Sequence, residues 1–522
     1  MKTSGIALAL SLAAAALVLP PARFGGQADP FAAFWRARSP DEAESAARGI
    51  LEGGIGFDEA WTRLRRGRSY ASSVPRGLVR LRRSAGGLAY VYHVEVPDTY
   101  DPSRRYQVRV QLHGGVMGRE TGAPRGAGTI GALAGAEQIY VMPFAWRDAP
   151  WWSERQEENL AAILDALKRT YNVDENHIAL AGVSDGATAA YYFAMRQPTI
   201  FSSFLALNGH LMVLESPSLR IGELFPNNLL NRPLFVVNGG LDPLYPAASV
   251  GPWVEHLQRR GVDVEYRVQP DGVHDTRWWP RVEEGFEAFV REHPRDPYPP
   301  RVTWSTDRTD AHSRIAWLVV DRLAGNAGAA GLPRPDLTAD VNVLQRDLSF
   351  TFGIVGAGTR VSLIQPGSNA ERFGLRPGDT IAAVNGRPCA DAEDLLRAAA
   401  ALEPGAAVSI VATRGSGRVE LAGTFEPNPP GALLLFDRRR PWGRVDAVRR
   451  GNTVTVQSYG VAAFTLLLSP DVFDFSKPIT VVVNGGVRFQ GRVERSLATL
   501  LKWAARDNDR TMLFGAELTL EM

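Results

Sequence analysis

Residues 178–190 read Ile-Ala-Leu-Ala-Gly-Val-Ser-Asp-Gly-Ala-Thr-Ala-Ala. A short apolar run ends in Gly182-Val183-Ser184-Asp185-Gly186, and a helix-forming run follows. The pattern predicts a buried strand, a sharp turn and a helix, with Ser184 at the tip of the turn. A hydroxyl that attacks a substrate must stand clear of its sheet on a strained turn. Side chains two residues before and two after would collide with neighbouring backbone, so both positions are glycine. A glycine-flanked serine in an ordinary turn has the same letters, and the rest of the chain must decide between them.

Working outward, a strand expected at Tyr106–Leu112 ends in His113-Gly114-Gly115. Such a loop offers a backbone N–H from Gly114 or Gly115 to a developing oxyanion, and the residue after the nucleophile, Asp185, supplies the other. Downstream, Pro233–Asn238 reads as a buried strand running into Gly239-Gly240-Leu241-Asp242-Pro243. A helix is expected over Trp253–Arg260. Val262, Val264, Tyr266 and Val268 then alternate as a strand that leads into Asp271-Gly272-Val273-His274-Asp275. Ser184, Asp242 and His274 thus follow three strands in the order nucleophile, acid, base. In the triad logic Ser184 attacks a carbonyl, His274 takes its proton, and Asp242 orients the imidazole. Asp271 and Asp275 compete with Asp242, and His113 and His210 compete with His274. A closing helix carries Val282, Phe286, Phe289 and Val290 on one face. Between the oxyanion loop and the elbow, Trp151-Trp152 either line an apolar substrate pocket or pack in the core. Ser153 and Gln156 match a capping box for the next helix.

These four motifs, HGG at 113–115, GVSDG at 182–186, GGLDP at 239–243 and GVHD at 272–275, resemble the α/β-hydrolases of the secreted esterase and prolyl-oligopeptidase-like group. The resemblance covers residues 70–296. It implies a mostly parallel sheet with flanking helices and a serine hydrolase that uses no cofactor and no metal. It leaves the substrate open, because the fold serves esters, amides and lipids. The chain has no propeller repeat ahead of this core.

Composition fits such an enzyme. The 522 residues are 45% hydrophobic and 22% charged, with a net charge of +2. That predicts several globular domains and argues against nucleic acid as a partner. The basic run Arg63–Arg68 reads as a solvated helix face. The single cysteine, Cys389, excludes an intramolecular disulfide and a cysteine zinc cluster. Residues 1–28 have Lys2, an apolar run from Ile6 to Pro20 and small residues around Gly26-Gln27-Ala28, the pattern of a cleaved export signal rather than an anchor. No later stretch is long and apolar enough to span a bilayer. Residues 29–69 read as helical, a packed appendage in preference to a cap over a pocket, with a helix opening at Pro40-Asp41-Glu42-Ala43. Leu88–Val96 reads as a strand.

Beyond Pro297-Tyr298-Pro299-Pro300 the pattern changes. Val302–Trp304 and Ile315–Val320 read as strands, and 324–340 as a linker. Then come Phe352-Gly353-Ile354, Val361–Ser368, Gly374-Leu375-Arg376-Pro377-Gly378-Asp379-Thr380-Ile381 and Val384-Asn385-Gly386. In order, these resemble a PDZ domain of the bacterial protease type over 341–425. The resemblance implies a carboxylate-binding loop at Phe352, Gly353 and Ile354 and a groove for a peptide C-terminus, or a domain used only as a spacer. It also points to a bacterium, hence the periplasm or secretion. Strands at 453–456 and 463–468 and a hairpin around Asn484-Gly485-Gly486 follow. Neither 301–323 nor 441–522 has enough strands alone. They are therefore expected to form one β-sandwich, interrupted by the PDZ domain. The expected function is an exported carboxylic-ester hydrolase. A serine peptidase and a catalytically idle peptide-binding scaffold are the alternatives.

Overall fold

The computed structural model describes residues 29–116, 138–215, 219, 221–310, 313–325, 354–357, 359–364, 367–426, 436 and 440–522. Three helices come first: α1 (Phe31–Arg36), α2 (Pro40–Glu52) and α3 (Phe57–Arg66). Ser39 caps α2 by accepting from the Glu42 N–H, with Pro40 at the first helical position. The export-signal pattern at 1–28 lies outside the described residues.

The next unit is an eight-stranded sheet: β1 (Gly77–Ala85), β2 (Leu88–Val96), β3 (Tyr106–Leu112), β4 (Gln138–Pro143), β5 (Val173–Val183), β6 (Ser203–Leu207), β7 (Leu234–Gly239) and β8 (Val264–Gln269). The spatial order is β1-β2-β4-β3-β5-β6-β7-β8. β1, β2 and β4 pair antiparallel, and every other neighbour is parallel. Strands buried on both faces need apolar residues at every position, which is why Ile178–Ala181 and Leu234–Val237 read as continuous apolar runs. Leu180, Val108 and Val110 face one cluster with residues of α4 (Glu154–Thr170), α5 (Asp185–Arg196) and α6 (Ala247–Arg259). Ala179, Ala181, Phe235 and Val237 face the other with Val282, Phe286 and Phe289 of α7 (Trp279–Glu292). Each such aromatic or branched side chain contributes roughly 1.5–3 kcal/mol on burial. This strand order, with helices on both faces, is the open, mostly parallel α/β sheet expected for residues 70–296.

The rest of the chain supplies β9 (Arg301–Thr306), β10 (Arg314–Ile315) and β11 (Leu318–Leu323). It continues as a smaller unit of β12 (Ile354–Ala357), β13 (Arg360–Ile364), α8 (Asn369–Phe373), β14 (Thr380–Val384), β15 (Arg387–Pro388), α9 (Ala392–Ala400), β16 (Ala407–Arg414) and β17 (Gly417–Thr424). It ends with β18 (Gly443–Arg450), β19 (Thr453–Tyr459), β20 (Val461–Leu468), β21 (Ile479–Val483), β22 (Gly486–Gly491), α10 (Leu497–Asp507) and β23 (Ala516–Glu521). Two sheets combine strands from both sides of the smaller unit: β22-β21-β19-β18-β9 and β10-β11-β20-β23. Trp304 stands opposite Val445, and Leu318 opposite Leu466. The Trp317 carbonyl accepts from the Leu467 N–H at 2.8 Å. Trp304, Trp317, Val456, Phe464 and Val481 share one core.

Some expectations change. The run Ile315–Val320 is not one strand but a tight hairpin, since Ile315 pairs with Leu318 and Ala316 turns the chain at φ 47°. Ser153 does begin α4, yet the capping box is not made. Its hydroxyl donates to the Pro150 carbonyl, and the Gln156 amide donates to the carbonyls of Phe144 and Ala149. The N-terminal helices share an apolar cluster with Leu500, Leu501 and Ala504 of α10.

Candidate active site

Ser184 follows β5 directly and opens α5, with φ 57° and ψ −119°. Few non-glycine residues hold that conformation, and here the packing imposes it. A Cβ on Gly182 would sit 2.0 Å from the Gly186 carbonyl oxygen, and one on Gly186 would sit 2.1 Å from that of Leu112. The Ser184 N–H donates to the Leu207 carbonyl at 3.0 Å, tying the turn to β6.

Asp242 lies just past β7 and His274 just past β8, at the carboxyl ends of the parallel strands where open α/β sheets place their sites. His274 Nδ1 is 2.8 Å from Asp242 Oδ2, and its Nε2 is 3.0 Å from Ser184 Oγ. Asp242 is fully buried, and its Oδ1 accepts from the N–H groups of Leu244 and Tyr245 at 2.8 and 2.9 Å. With the carboxylate so held, Nδ1 carries the imidazole proton and Nε2 is free to accept from the serine hydroxyl. Asp271 instead pairs with Arg281, and Asp275 with Arg277. His210 is buried, accepts from the Met212 N–H at Nδ1, and is pushed down to about 4 by burial, so it stays neutral.

The loop expected to form an oxyanion hole is fastened from several sides. Gly114 lies against Ser184: a Cβ there would come within 2.8 Å of Ser184 Cβ. His113 accepts the Ala145 N–H at Nε2 and so donates from Nδ1 to the Gly114 carbonyl, 2.7 Å away. Burial pushes its pKa down, in keeping with that neutral ring. The Trp151 indole N–H donates to the His113 carbonyl at 2.8 Å. Trp151 and Trp152 are both buried in the core, and the Trp151 indole thereby holds the His113 end of the loop. Asp185 adds a contact that the motif did not suggest. Its Oδ2 accepts from the Val116 N–H at 2.9 Å, joining the elbow helix to the loop that Gly114 and Gly115 form. Tyr245 stands edge-on to His274 with ring centroids 5.6 Å apart. Among the described residues no group of three or more His, Cys, Asp or Glu could hold a metal ion.

The smaller unit has the turns read at Gly374, Gly378 and Gly386, all at positive φ. Residues 360–414 match the family model of the PDZ domain. A stretch of 85 residues is 35% identical to a protein of Rhizobium meliloti (strain 1021) named "Probable periplasmic serine endoprotease DegP-like", covering 16% of this chain and 17% of that one. The match thus spans about a sixth of that relative's length. Among solved structures, a thermostable esterase is 20% identical, with 42% of this chain and 63% of that one covered and a TM-score of 0.33. The acylaminoacyl peptidase of Pyrococcus horikoshii is 17% identical, covering 42% of each chain, with a TM-score of 0.33. The S-formylglutathione hydrolase of Staphylococcus aureus is 16% identical, with 42% and 98% covered and a TM-score of 0.32. In the PDZ domain Ile354 opens β12, which lies at the edge of its sheet, whereas Phe352 and Gly353 lie outside the described residues. No helix among the described residues is long and apolar enough to cross a membrane.

Proposed function

We propose that this chain is an exported serine hydrolase acting on carboxylic esters through Ser184, His274 and Asp242. The observation that carries the reading is the unbroken line from Asp242 Oδ2 through His274 to Ser184 Oγ, at 2.8 and 3.0 Å, ending on a strained serine. Ser184 Oγ attacks the ester carbonyl while Nε2 of His274 takes its proton. The N–H groups of Asp185 and of the Gly114-Gly115 segment stabilise the oxyanion. Collapse expels the alkoxide, which receives the proton from His274, and leaves an acyl-Ser184. Water, deprotonated by the same nitrogen, then attacks the acyl carbon and releases acid and free serine.

A second reading, a serine peptidase, draws on the PDZ domain. Its edge strand β12 is suited to pair with an extended peptide, and a peptide C-terminus would be its partner. The relative named as a periplasmic endoprotease fits that reading and fits export. Short acyl esters and peptides of varied sequence, offered to wild type and to Ser184→Ala, separate the two. Ester turnover that Ser184→Ala abolishes, with peptides left intact, supports the esterase. Cleavage of peptides at comparable kcat/KM supports the peptidase.

A further inference from the structure

The geometry points to two buried asparagines, Asn208 and Asn238, as positioning residues that brace the acid and histidine loops against the nucleophile. The inference rests on the hydrolase reading. The two loops already form one unit. The Gly240 N–H donates to the Gln269 carbonyl at 2.7 Å, and the Leu241 N–H to that of Gly272 at 2.9 Å. A Cβ on Gly239 would sit 2.2 Å from the Gly272 oxygen. Something must hold this unit in register with Ser184, because misplacing His274 Nε2 by an ångström would break the hydroxyl contact.

The end of β6 does so. Leu207 accepts the Ser184 N–H. The next residue, Asn208, donates from Nδ2 to the Asp275 carbonyl at 2.7 Å, one residue past His274. Asn238, at the end of β7, donates from Nδ2 to the carbonyls of Gly209 and Tyr245, at 3.2 and 3.1 Å. One amide therefore joins the β6 end to the histidine loop, and the other joins it to the acid loop. Both residues are fully buried, where an amide is unfavourable unless it makes such bonds. Asn208 also sits at φ 52°. Glycine would take that backbone conformation with less strain, so it can replace asparagine there without disturbing the turn. Both contacts use the amide as donor to a carbonyl.

Asn208→Gly separates bracing from turn formation, since it keeps the turn and removes the brace. Wild type, Asn208→Gly and Asn238→Ala would be compared in short-ester hydrolysis, in the rate of labelling by a fluorophosphonate, and in thermal unfolding. The expected result for Asn208→Gly is a folded protein with a modestly lower Tm, with kcat and labelling rate down roughly 10- to 100-fold and KM within about twofold. Asn238→Ala should show the same split between kcat and KM. The double variant should lose less than the product of the single losses, because both braces serve one loop unit. A labelled wild type with Asn208→Gly and Asn238→Ala within twofold of it in kcat would overturn the bracing role alone. A wild type that neither labels nor hydrolyses would overturn the hydrolase reading and this inference together.

Discussion

The two-sheet region of β9–β11 and β18–β23 and the PDZ domain differ in what their described residues share with the α/β core. The sandwich region is welded to it. Arg510 pairs with Glu175 at 2.6 Å, and Arg295 with Asp509 at 2.6 Å, all four side chains being almost entirely buried. Asn228 and Asn231, on a 3-10 turn of the core, exchange amide hydrogen bonds with the backbone of Ser305 and Thr303 along β9. The PDZ domain instead has a hydrophobic cluster, from Val361 to Phe425, made of its own residues. The chain meets the core again where it returns: Phe436 joins the core's main apolar cluster, and Trp442 packs on Phe225 with ring centroids 5.9 Å apart. A module that shares buried charges with a core is part of its folding unit, whereas a module with a separate core can be exchanged without unfolding its host.

The sharpest way to break this contrast is at the weld. Arg295→Ala leaves the Asp509 carboxylate buried without its partner, and a destabilisation of about 3–5 kcal/mol is expected by denaturant unfolding. Acid acts on the same pair. Burial by itself would push the Asp509 carboxyl up, but the charges of Arg295 and Lys168 and the Thr511 hydroxyl hold it well below the usual carboxylate range. A carboxyl lowered in the folded state stabilises fully above its unfolded value, near pH 4, and less as pH falls below that. Unfolding temperature should therefore drop on acidification below about pH 4, and Asp509→Asn should flatten that drop while lowering stability at neutral pH.

The proposed oxyanion loop is fastened like the weld, on a smaller scale. Asp185→Ala removes the acceptor for the Val116 N–H, and roughly a tenfold loss of kcat is expected with KM little changed. Asp185→Asn keeps an acceptor oxygen and should restore most of the rate in the same assay. The smallest effect is expected at the tether. Replacing residues 341–425 by a short glycine-serine linker should change short-ester kcat/KM by less than about twofold and leave the main unfolding transition in place. A collapse of that transition would show that the PDZ domain is welded after all.

What was legible in the chain was what local chemistry dictates. The elbow glycines, the three loop residues in order and the turns of the PDZ domain each sit in short motifs whose spacing has one physical cause. The pairing of β9 with β18 and of β11 with β20 follows the expectation that too few strands lay on either side to stand alone. Other features depend on distant partners. β1 escaped notice because Arg80, Arg82 and Arg83 break its apolar pattern, as suits an edge strand largely open to solvent. The turn at Ala316 was hidden inside an apolar run, since both the residue and its hairpin are buried. For Trp151 and Trp152 the sequence leaves pocket wall and core packing both open, because an indole has the same letter in either place. The contacts of Asp185, Asn208 and Asn238 reach loops distant in sequence, with no trace in spacing.

The central claim is that Ser184 is an activated nucleophile, and covalent labelling tests it most directly. Folded protein would be treated with a fluorophosphonate, digested, and the adduct located by mass spectrometry. One adduct is expected, on the peptide containing Ser184, absent in Ser184→Ala and greatly slowed in His274→Ala. Folded wild-type protein that takes no label at Ser184, or labels equally well without His274, would contradict it.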